Sequence, residues 1–546
     1  MRYSLLGVLV VLGGSCLPVR TTECATGRLC PPDTLCSNAG DGCVPVTGGC
    51  GDGVIDSELD EQCDDGNVRD DDQCSADCRS DKSCGNGIRD VSTGEVCDDG
   101  NRDDSDSCSA DCQRRAAITA GARHTCVLLV DGRVRCWGDN SCGQLGLGHR
   151  EPIGDDEAPS TAADVEVGGT VIQLVAGDAF TCALLDDRRV RCWGDNSKGQ
   201  LGQGSREMVI EPSEYTTITE GDETVTRLAA GAHHVCAITD TGQVRCWGDN
   251  THGQLGDESN SNRGDDAKEM PPPNVDLGGT TTTAVAAGSA HTCAVSDRSE
   301  VRCWGYNEYG QLGYGDQDPR GGGTGEWPLD DNGVSGEDAA ITALTLGNNH
   351  ACVLLASGAV RCWGRGPDGE TGHGTHSDFG DESTDQMPPK DTPIVGAADR
   401  TEIVELIAGG AHTCAVLASG ALHCWGDNDH SQLGLDGMQH DAIGGRPGEM
   451  PPDRVPLADQ ARIIDVALGA AHTCALLESG AIRCWGNNKC GQLGYADTAK
   501  CFLSPGPDID YLPPTVALKQ RDRPVRSARK TGLCGVREEP DPCPCQ

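Results

Sequence analysis

Residues 463–494 read Ile-Ile-Asp-Val-Ala-Leu-Gly-Ala-Ala-His-Thr-Cys-Ala-Leu-Leu-Glu-Ser-Gly-Ala-Ile-Arg-Cys-Trp-Gly-Asn-Asn-Lys-Cys-Gly-Gln-Leu-Gly. The apolar run at 463–468 and the stretch at 473–477 have strand length, and Gly469 between them is a turn signal. Glu478, Ser479 and Gly480 then interrupt, and 481–485 reads as a third strand. A three-residue hairpin loop ending in a glycine of positive φ suits that interruption. Such a loop pairs Leu477 with Ala481, and counting back sets Cys474 opposite Cys484 at a non-hydrogen-bonded site. There the Cα atoms stand about 4.5 Å apart, within reach of a disulfide. A two-residue turn would set Cys474 against Trp485 instead.

The same cassette, Cys, nine residues, then Cys-Trp-Gly, occurs seven times. Its pairs are Cys126/Cys136, Cys182/Cys192, Cys236/Cys246, Cys293/Cys303, Cys352/Cys362, Cys414/Cys424 and Cys474/Cys484, with first cysteines 54 to 62 residues apart. A repeat of this length is one unit of an array that buries its face against a neighbour. Seven of the eight tryptophans sit in these triplets. Glycine ends the hairpin loop in five units, and Arg188 and Ser299 replace it in the other two. Each pair reads as a structural disulfide, because a metal would need four ligands gathered from different units. Closing so short a loop contributes about 3 kcal/mol in the chain-entropy model. After the tryptophan comes Gly-x-Asn-x-x-Gly-Gln-Leu-Gly, which weakens to Gly-Glu-Thr-Gly at 369–372 and begins its tail with Ser431 in the sixth unit. These glycines mark tight turns. No strand-then-helix context makes them a phosphate cradle.

The His-Thr-Cys-Ala-Leu, Cys-Trp-Gly and Gly-Gln-Leu-Gly strings together resemble the repeats of the regulator of chromosome condensation family, in a cysteine-bearing bacterial form. The resemblance covers roughly 116–518 and implies a seven-bladed β-propeller, so the chain is expected to be all-β, with small disulfide-rich modules ahead of the propeller. Four strands per blade are expected, with a strand at 514–518 returning beside the first unit to close the ring.

Ahead of the array, residues 50–112 hold a second repeat. Cys50, Cys63, Cys74 and Cys78 recur 34 residues on as Cys84, Cys97, Cys108 and Cys112. With Cys-Asp-Asp-Gly-Asn and Cys-Ser-Ala-Asp-Cys in both copies, the segment resembles the Myxococcus cysteine-rich repeat, a small disulfide module of bacterial surface proteins. Modules this small bury little core and depend on staples. Asp64, Asp65, Asn67, Asp70 and Asp72 recur as Asp98, Asp99, Asn101, Asp104 and Asp106. Such oxygen clusters suit calcium, although the spacing is not that of an EF-hand, and solvated Asx turns are the alternative. The stretch carries 20 acidic and 5 basic residues, a repulsion that calcium would offset.

Arg2 and the apolar run 5–12 read as a signal peptide too short to span a membrane. The run ends Leu12-Gly13-Gly14-Ser15-Cys16, similar to a bacterial lipobox apart from Gly13. Of 33 cysteines, Cys16 is the odd one once the others are placed in units, modules and tail, as a lipidated N-terminal cysteine would be. The expected organisation is a signal peptide at 1–16, a short cysteine knot at 17–49, cysteine-rich repeats at 50–82 and 83–115, the propeller at 116–518 and a basic, then Cys/Pro-rich tail at 519–546. So many cysteines fit an oxidising compartment, either the outer membrane through a lipid anchor or the medium. The formal charge of −42 excludes nucleic acid as a partner.

Six units place His two residues before the first Cys (His124, His234, His291, His350, His412, His472), and Phe180 fills the place in the second. A metal ring at the axis competes with a hydrogen bond made by each His inside its own blade, and the intact cassette around Phe180 favours the latter. No catalytic constellation stands apart from the repetition, so the chain is not read as an enzyme. The segments after each Gly-Gln-Leu-Gly differ in length and wording and leave each unit at the same place. They should crowd one face and engage a protein or a glycan. The rival readings are a calcium-stiffened envelope spacer and a secreted enzyme inhibitor. Guanine nucleotide exchange, known for the family's name-giving member, does not suit an exported acidic chain.

Overall fold

The computed structural model describes four short strands between residues 22 and 45 and, with short interruptions, residues 116–509. The chain divides into two compact units, one of residues 1–103 and 108–113, the other of 104–107 and 114–546. In the first, Thr22–Glu23 pairs with Leu29–Cys30 and Thr34–Cys36 with Cys43–Pro45, both antiparallel, with Cys36 opposite Cys43. Cys16, the acidic cluster of Asp64, Asp65, Asn67, Asp70 and Asp72, and its repeat at Asp98, Asp99, Asn101, Asp104 and Asp106 lie outside the described residues. So does the expected closing strand at 514–518.

The second unit holds seven antiparallel sheets of three strands among the described residues. In the seventh they are Ile463–Leu468, His472–Leu477 and Ile482–Gly486, the inner, middle and outer strands. The register is the one a three-residue loop imposes. Leu477 N donates to Ala481 O at 2.8 Å, Gly480 N to Leu477 O at 2.7 Å, and Cys474 stands opposite Cys484. The other six blades repeat it, with Cys126 opposite Cys136, Cys182 opposite Cys192 and Cys236 opposite Cys246. Cys293 likewise faces Cys303, Cys352 faces Cys362 and Cys414 faces Cys424. All seven pairs are bonded as disulfides, with Cα atoms 4.1 Å apart. The loop's last residue is left-handed whatever its identity: φ is 78° at Gly480, 66° at Arg188 and 60° at Ser299. Position, not glycine, sets that conformation, and the two side chains bear the strain.

The expectation of a fourth strand is corrected. Among the described residues, the chain that follows the outer strands turns back along their free edges and pairs only at isolated bridges, such as Ile153 with Gly138 and Val165 with Val134. The returning segments lack a period of two and carry prolines such as Pro152 and Pro159, which cannot donate to a ladder. Their path corrects a second expectation. They start at the end of the blade where Gly138 lies and finish at the end where Val134 lies, so they sheathe the rim instead of crowding one face.

Inner strands of successive blades lie side by side, and the seventh returns against the first. At the turn from inner to middle strand, seven backbone bonds link blade to blade in a closed circle. Ala122 N donates to Asp178 O (3.2 Å), Asn348 N to Gly410 O (2.9 Å), and Ala470 N back to Ala122 O (3.4 Å). The preceding residue is always glycine (121, 177, 231, 288, 347, 409, 469). A Cβ on Gly121 would lie 2.2 Å from His124 Cε1 and 2.3 Å from Gly177 O, so a side chain would force neighbouring blades apart. Further out, six inner strands have an irregularity near their start, and the next residue reaches to the neighbouring blade in two of them. Gln173 Oε1 accepts from Leu228 N (2.9 Å) and its Nε2 donates to Leu228 O (3.1 Å), while Asp465 Oδ2 accepts from Ile118 N (2.7 Å) across the closure. Edge groups are thereby covered.

Candidate interaction face

The cassette cysteines take no part in any surface. Cys136, Cys192, Cys246, Cys303, Cys362 and Cys424 are buried with their partners and with Cys484, each beside its own buried tryptophan. They staple the outer hairpin of each blade, the structural task their spacing implies.

The recurring polar residues join blades to one another. His124 Nε2 lies 3.0 Å from Thr181 Oγ1 of the next blade. His234 meets Thr292 at 2.9 Å, His350 meets Thr413 at 2.7 Å, His412 meets Thr473 at 3.0 Å, and His472 meets Thr125 at 3.0 Å. The expected bond inside one blade is therefore corrected. Successive residues of a strand point to opposite faces, so the His of a blade faces forward and its Thr backward. Thr181 Oγ1 donates to Gln144 O (3.0 Å), which also accepts from Trp193 Nε1 (3.0 Å). With its proton committed, the hydroxyl accepts from His124 Nε2–H, which assigns the tautomer. Burial holds these imidazoles neutral, pushing His124, His291, His412 and His472 down to about 3 and His234 and His350 to about 4. Each Trp Nε1 likewise donates to the residue before Leu or Thr in the previous blade's Gly-Gln-Leu-Gly tail, Trp137 to Gln492 O closing the circle at 3.0 Å.

Two seams depart from this pattern. Phe180 takes the His position in the second blade, and Val235 takes the Thr position facing it; both are buried in one apolar cluster. In the fourth blade His291 is kept while the fifth blade has Ala351, and neither ring nitrogen of His291 has a partner.

At the end of the blades where the circle of backbone bonds lies, two positions per blade vary on a constant backbone. The residue after Cys-Trp-Gly donates its N–H to the residue before the His position in every blade, for example Asp139 N to Arg123 O, Tyr306 N to Ala290 O and Arg365 N to Asn349 O, each 2.9 Å. Its backbone place is constant, but its identity runs Asp139, Asp195, Asp249, Tyr306, Arg365, Asp427, Asn487. Three residues on, the sequence runs Cys142, Lys198, His252, Tyr309, Asp368, His430, Cys490, of which Cys142 and Cys490 are themselves disulfide-bonded. Asp195, Asp249 and Asp427 accept from Gln200, Gln254 and Gln432 Nε2 at 2.8, 3.0 and 2.7 Å. The fifth blade exchanges both partners: Arg365 donates to Glu370, which replaces that glutamine, and to Asp368 at 2.7 Å. Burial pushes Glu370 up to about 7. The weakened tail at 369–372 is thus a coupled exchange of charge.

Among the described residues, Asp155, Asp156 and Glu157 group their carboxylates closely enough for a cation. Burial, then Asp156 and Asp155, push Glu157 up to about 7. In the corresponding turns of two other blades a glutamate closes the backbone: Glu269 Oε2 accepts from Gly264 N (3.0 Å) and Asp266 N (3.1 Å), and Glu449 Oε2 from Gly444 N (3.0 Å) and Arg446 N (2.9 Å). That is a structural task.

One recurring residue carries a role that its own repeat does not reveal, the Arg before the second Cys. It clamps the returning segment: Arg135 pairs with Asp164, Arg245 donates to Pro272 O (2.9 Å), Arg361 to Asp391 (3.0 Å) and Arg483 to Asp508 (2.8 Å). The repeated Val-Arg-Cys-Trp-Gly held the signal, but its partners lie 25 to 30 residues on, in segments that share no wording.

A seven-bladed, disulfide-stapled propeller with one variable face is the class these features define. The RCC1-like domain matches residues 83–397, and the regulator of chromosome condensation (RCC1) repeat matches 403–432, 463–492 and 419–476. The chain belongs to this RCC1-like family. It is 30% identical over 390 residues to the secretion-regulating guanine nucleotide exchange factor of Bos taurus, covering 68% of this chain and 77% of that one. It is 29% identical over 383 residues to the ultraviolet-B receptor UVR8 of Arabidopsis thaliana, covering 70% and 79%. Among solved structures, human WBSCR16 shares the fold at a TM-score of 0.55 and 19% identity, over 69% of this chain and 94% of that one. Yeast RCC1 (Prp20) bound to Kap60 does so at 0.50 and 21%, over 65% and 78%.

Proposed function

We propose that this protein is an exported, non-enzymatic binding module whose variable propeller face engages a protein or glycan outside the cytoplasm, either anchored through a lipid on Cys16 or released. The observation that carries the reading is the division of labour within the cassette. His, Thr, Gln and Trp lock neighbouring blades, whereas two positions per blade on one face change chemistry around the ring on a rigid backbone. Variable side chains on a repeated scaffold are how such proteins recognise partners. Export rests on the apolar N-terminal run and on the oxidising compartment that so many cysteines need. Yeast RCC1 (Prp20) is seen bound to another protein, Kap60, which is the mode of action proposed here without that partner.

The test is cross-linking on intact cells. Photo-reactive residues at positions 139, 306 and 427 should capture the same partner, and residues on the opposite hairpins at 131, 187 and 478 should not. Capture from both faces alike, or from neither, would remove the reading. The acidic repeats at 50–112 are proposed as a spacer, with calcium held by Asp64, Asp65, Asn67, Asp70 and Asp72 and by their counterparts at 98–106.

A further inference from the structure

The variable face carries one group that is neither charged nor needed to hold the blades together. The rings of His252 and Tyr306 pack edge to face with centroids 4.8 Å apart, and Tyr309 stands 6.1 Å from Tyr306. His252 is exposed, and Tyr306 and Tyr309 are half-buried. Their backbones are fixed by Tyr306 N to Ala290 O and by Tyr309 N to Gln311 Oε1, both 2.9 Å, and the Tyr306 hydroxyl donates to Glu308. The seven cassette tryptophans and Phe180 are wholly buried, so this shelf is an exposed aromatic surface in a chain that is only 3% aromatic.

Two other tyrosines of the chain take arginine on their faces. Arg189 and Arg191 stack on Tyr215 at 3.9 and 4.1 Å, and Arg320 on Tyr314 at 4.2 Å. Among the described residues no cation of the chain covers Tyr306 or Tyr309. Glu308 beside them is exposed, and the same end of the propeller carries Asp139, Asp178, Asp195, Asp249 and Asp427 against Arg123, Lys489, Lys198 (3.5 Å from Asp249) and Arg365, the last held by Asp368 and Glu370. Half-exposed π-faces beside a carboxylate, on a face where acidic groups outnumber basic ones, attract guanidinium and ammonium groups. We propose that Tyr306, Tyr309 and His252 form a docking shelf for an arginine- or lysine-bearing segment of a partner protein. The inference rests on the binding-face reading and narrows it to a basic protein.

The probe is a fluorescein-labelled Gly-Arg-Gly-Arg-Gly peptide, titrated with the full chain at near-physiological salt and followed by anisotropy. Its citrulline counterpart, equal in shape and uncharged, should bind far more weakly. Tyr306→Ala with Tyr309→Ala leaves the charge of −42 untouched and should weaken binding about tenfold. Phe at both positions keeps the π-faces and should hold affinity within about twofold. If the double alanine chain does not fold, Tyr309→Ala alone should still weaken binding. Equal affinity for the arginine and citrulline peptides overturns the proposal. So does unchanged arginine-peptide binding after loss of the rings. A neutral oligosaccharide bound only while both tyrosines are present would make the shelf a glycan site and also overturn it. In that case capture at 139, 306 and 427 persists, so the binding-face reading survives; loss of that capture removes both.

Discussion

The seam between blades two and three and the seam between blades four and five both lack the cassette threonine, and they meet the loss differently. At the first, Phe180 replaces the imidazole as Val235 replaces the hydroxyl, so two apolar groups meet in the core. At the second, His291 remains while Ala351 has lost the hydroxyl, and a fully buried imidazole has no partner. Replacing both members of a buried hydrogen-bonded pair by apolar groups is close to neutral, whereas removing one leaves the other desolvated without compensation. The unit that sequence must keep consistent is therefore the pair across a seam. The coupled change of Arg365 with Glu370 follows the same rule.

Acid should give the largest effect. The folded-state values of His124, His291, His412 and His472 are depressed to about 3, and those of His234 and His350 to about 4. The unfolded chain binds these protons near pH 6.5 and the folded chain does not. Stability is thus full above about pH 6.5 and falls as pH drops toward 4. Glu405 and Asp465, hydrogen-bonded to each other between blades six and seven, act the other way. Burial raises both, Asp465 to about 6, so their contribution is present at low pH and lost as pH rises through that value. Denaturant midpoints measured from pH 4 to 8 should show the acid loss, and His291→Phe should reduce it. A flat acid limb would mean that the imidazoles are not desolvated.

A smaller effect is expected on manufacturing the defective seam elsewhere. Thr181→Val leaves His124 Nε2 unpaired while Trp193 still holds Gln144 O, and should destabilise by about 2 kcal/mol. Adding His124→Phe should recover most of it, in the image of Phe180 facing Val235. A double variant no better than the single one would break the comparison. The smallest expected change is a gain: Ala351→Thr supplies the absent partner of His291 and should stabilise by about 1 kcal/mol. Loss of stability there would mean that the fourth seam has no room for the hydroxyl.

Much of the blade was legible in one cassette. The turn at Gly469, the three-residue loop and the Cys474/Cys484 register all follow from counting, because hairpin pairing is local and its period is two. The number of blades follows from the number of cassettes. What was not legible depended on the neighbouring blade. The histidines looked self-contained because a sequence shows His beside Thr, and only the alternating side-chain direction in packed blades sends one forward and the other back. The fourth strand was over-read because turning back along an edge does not require pairing, and Pro152 and its counterparts prevent a ladder.

By itself the sequence determined the repeat, the strand lengths, the disulfide register and the acidic balance, since each depends on covalent order or composition. Tertiary structure alone decided that seven glycine turns close into one ring of backbone bonds, that His291 is stranded opposite Ala351, and that Tyr306, Tyr309 and His252 share a surface. Apart from the closure of Ala470 on Ala122 and the neighbouring pair Tyr306 and Tyr309, those contacts join residues about 55 to 60 positions apart, and the distance between two such residues is set by how blades pack, which no single repeat contains.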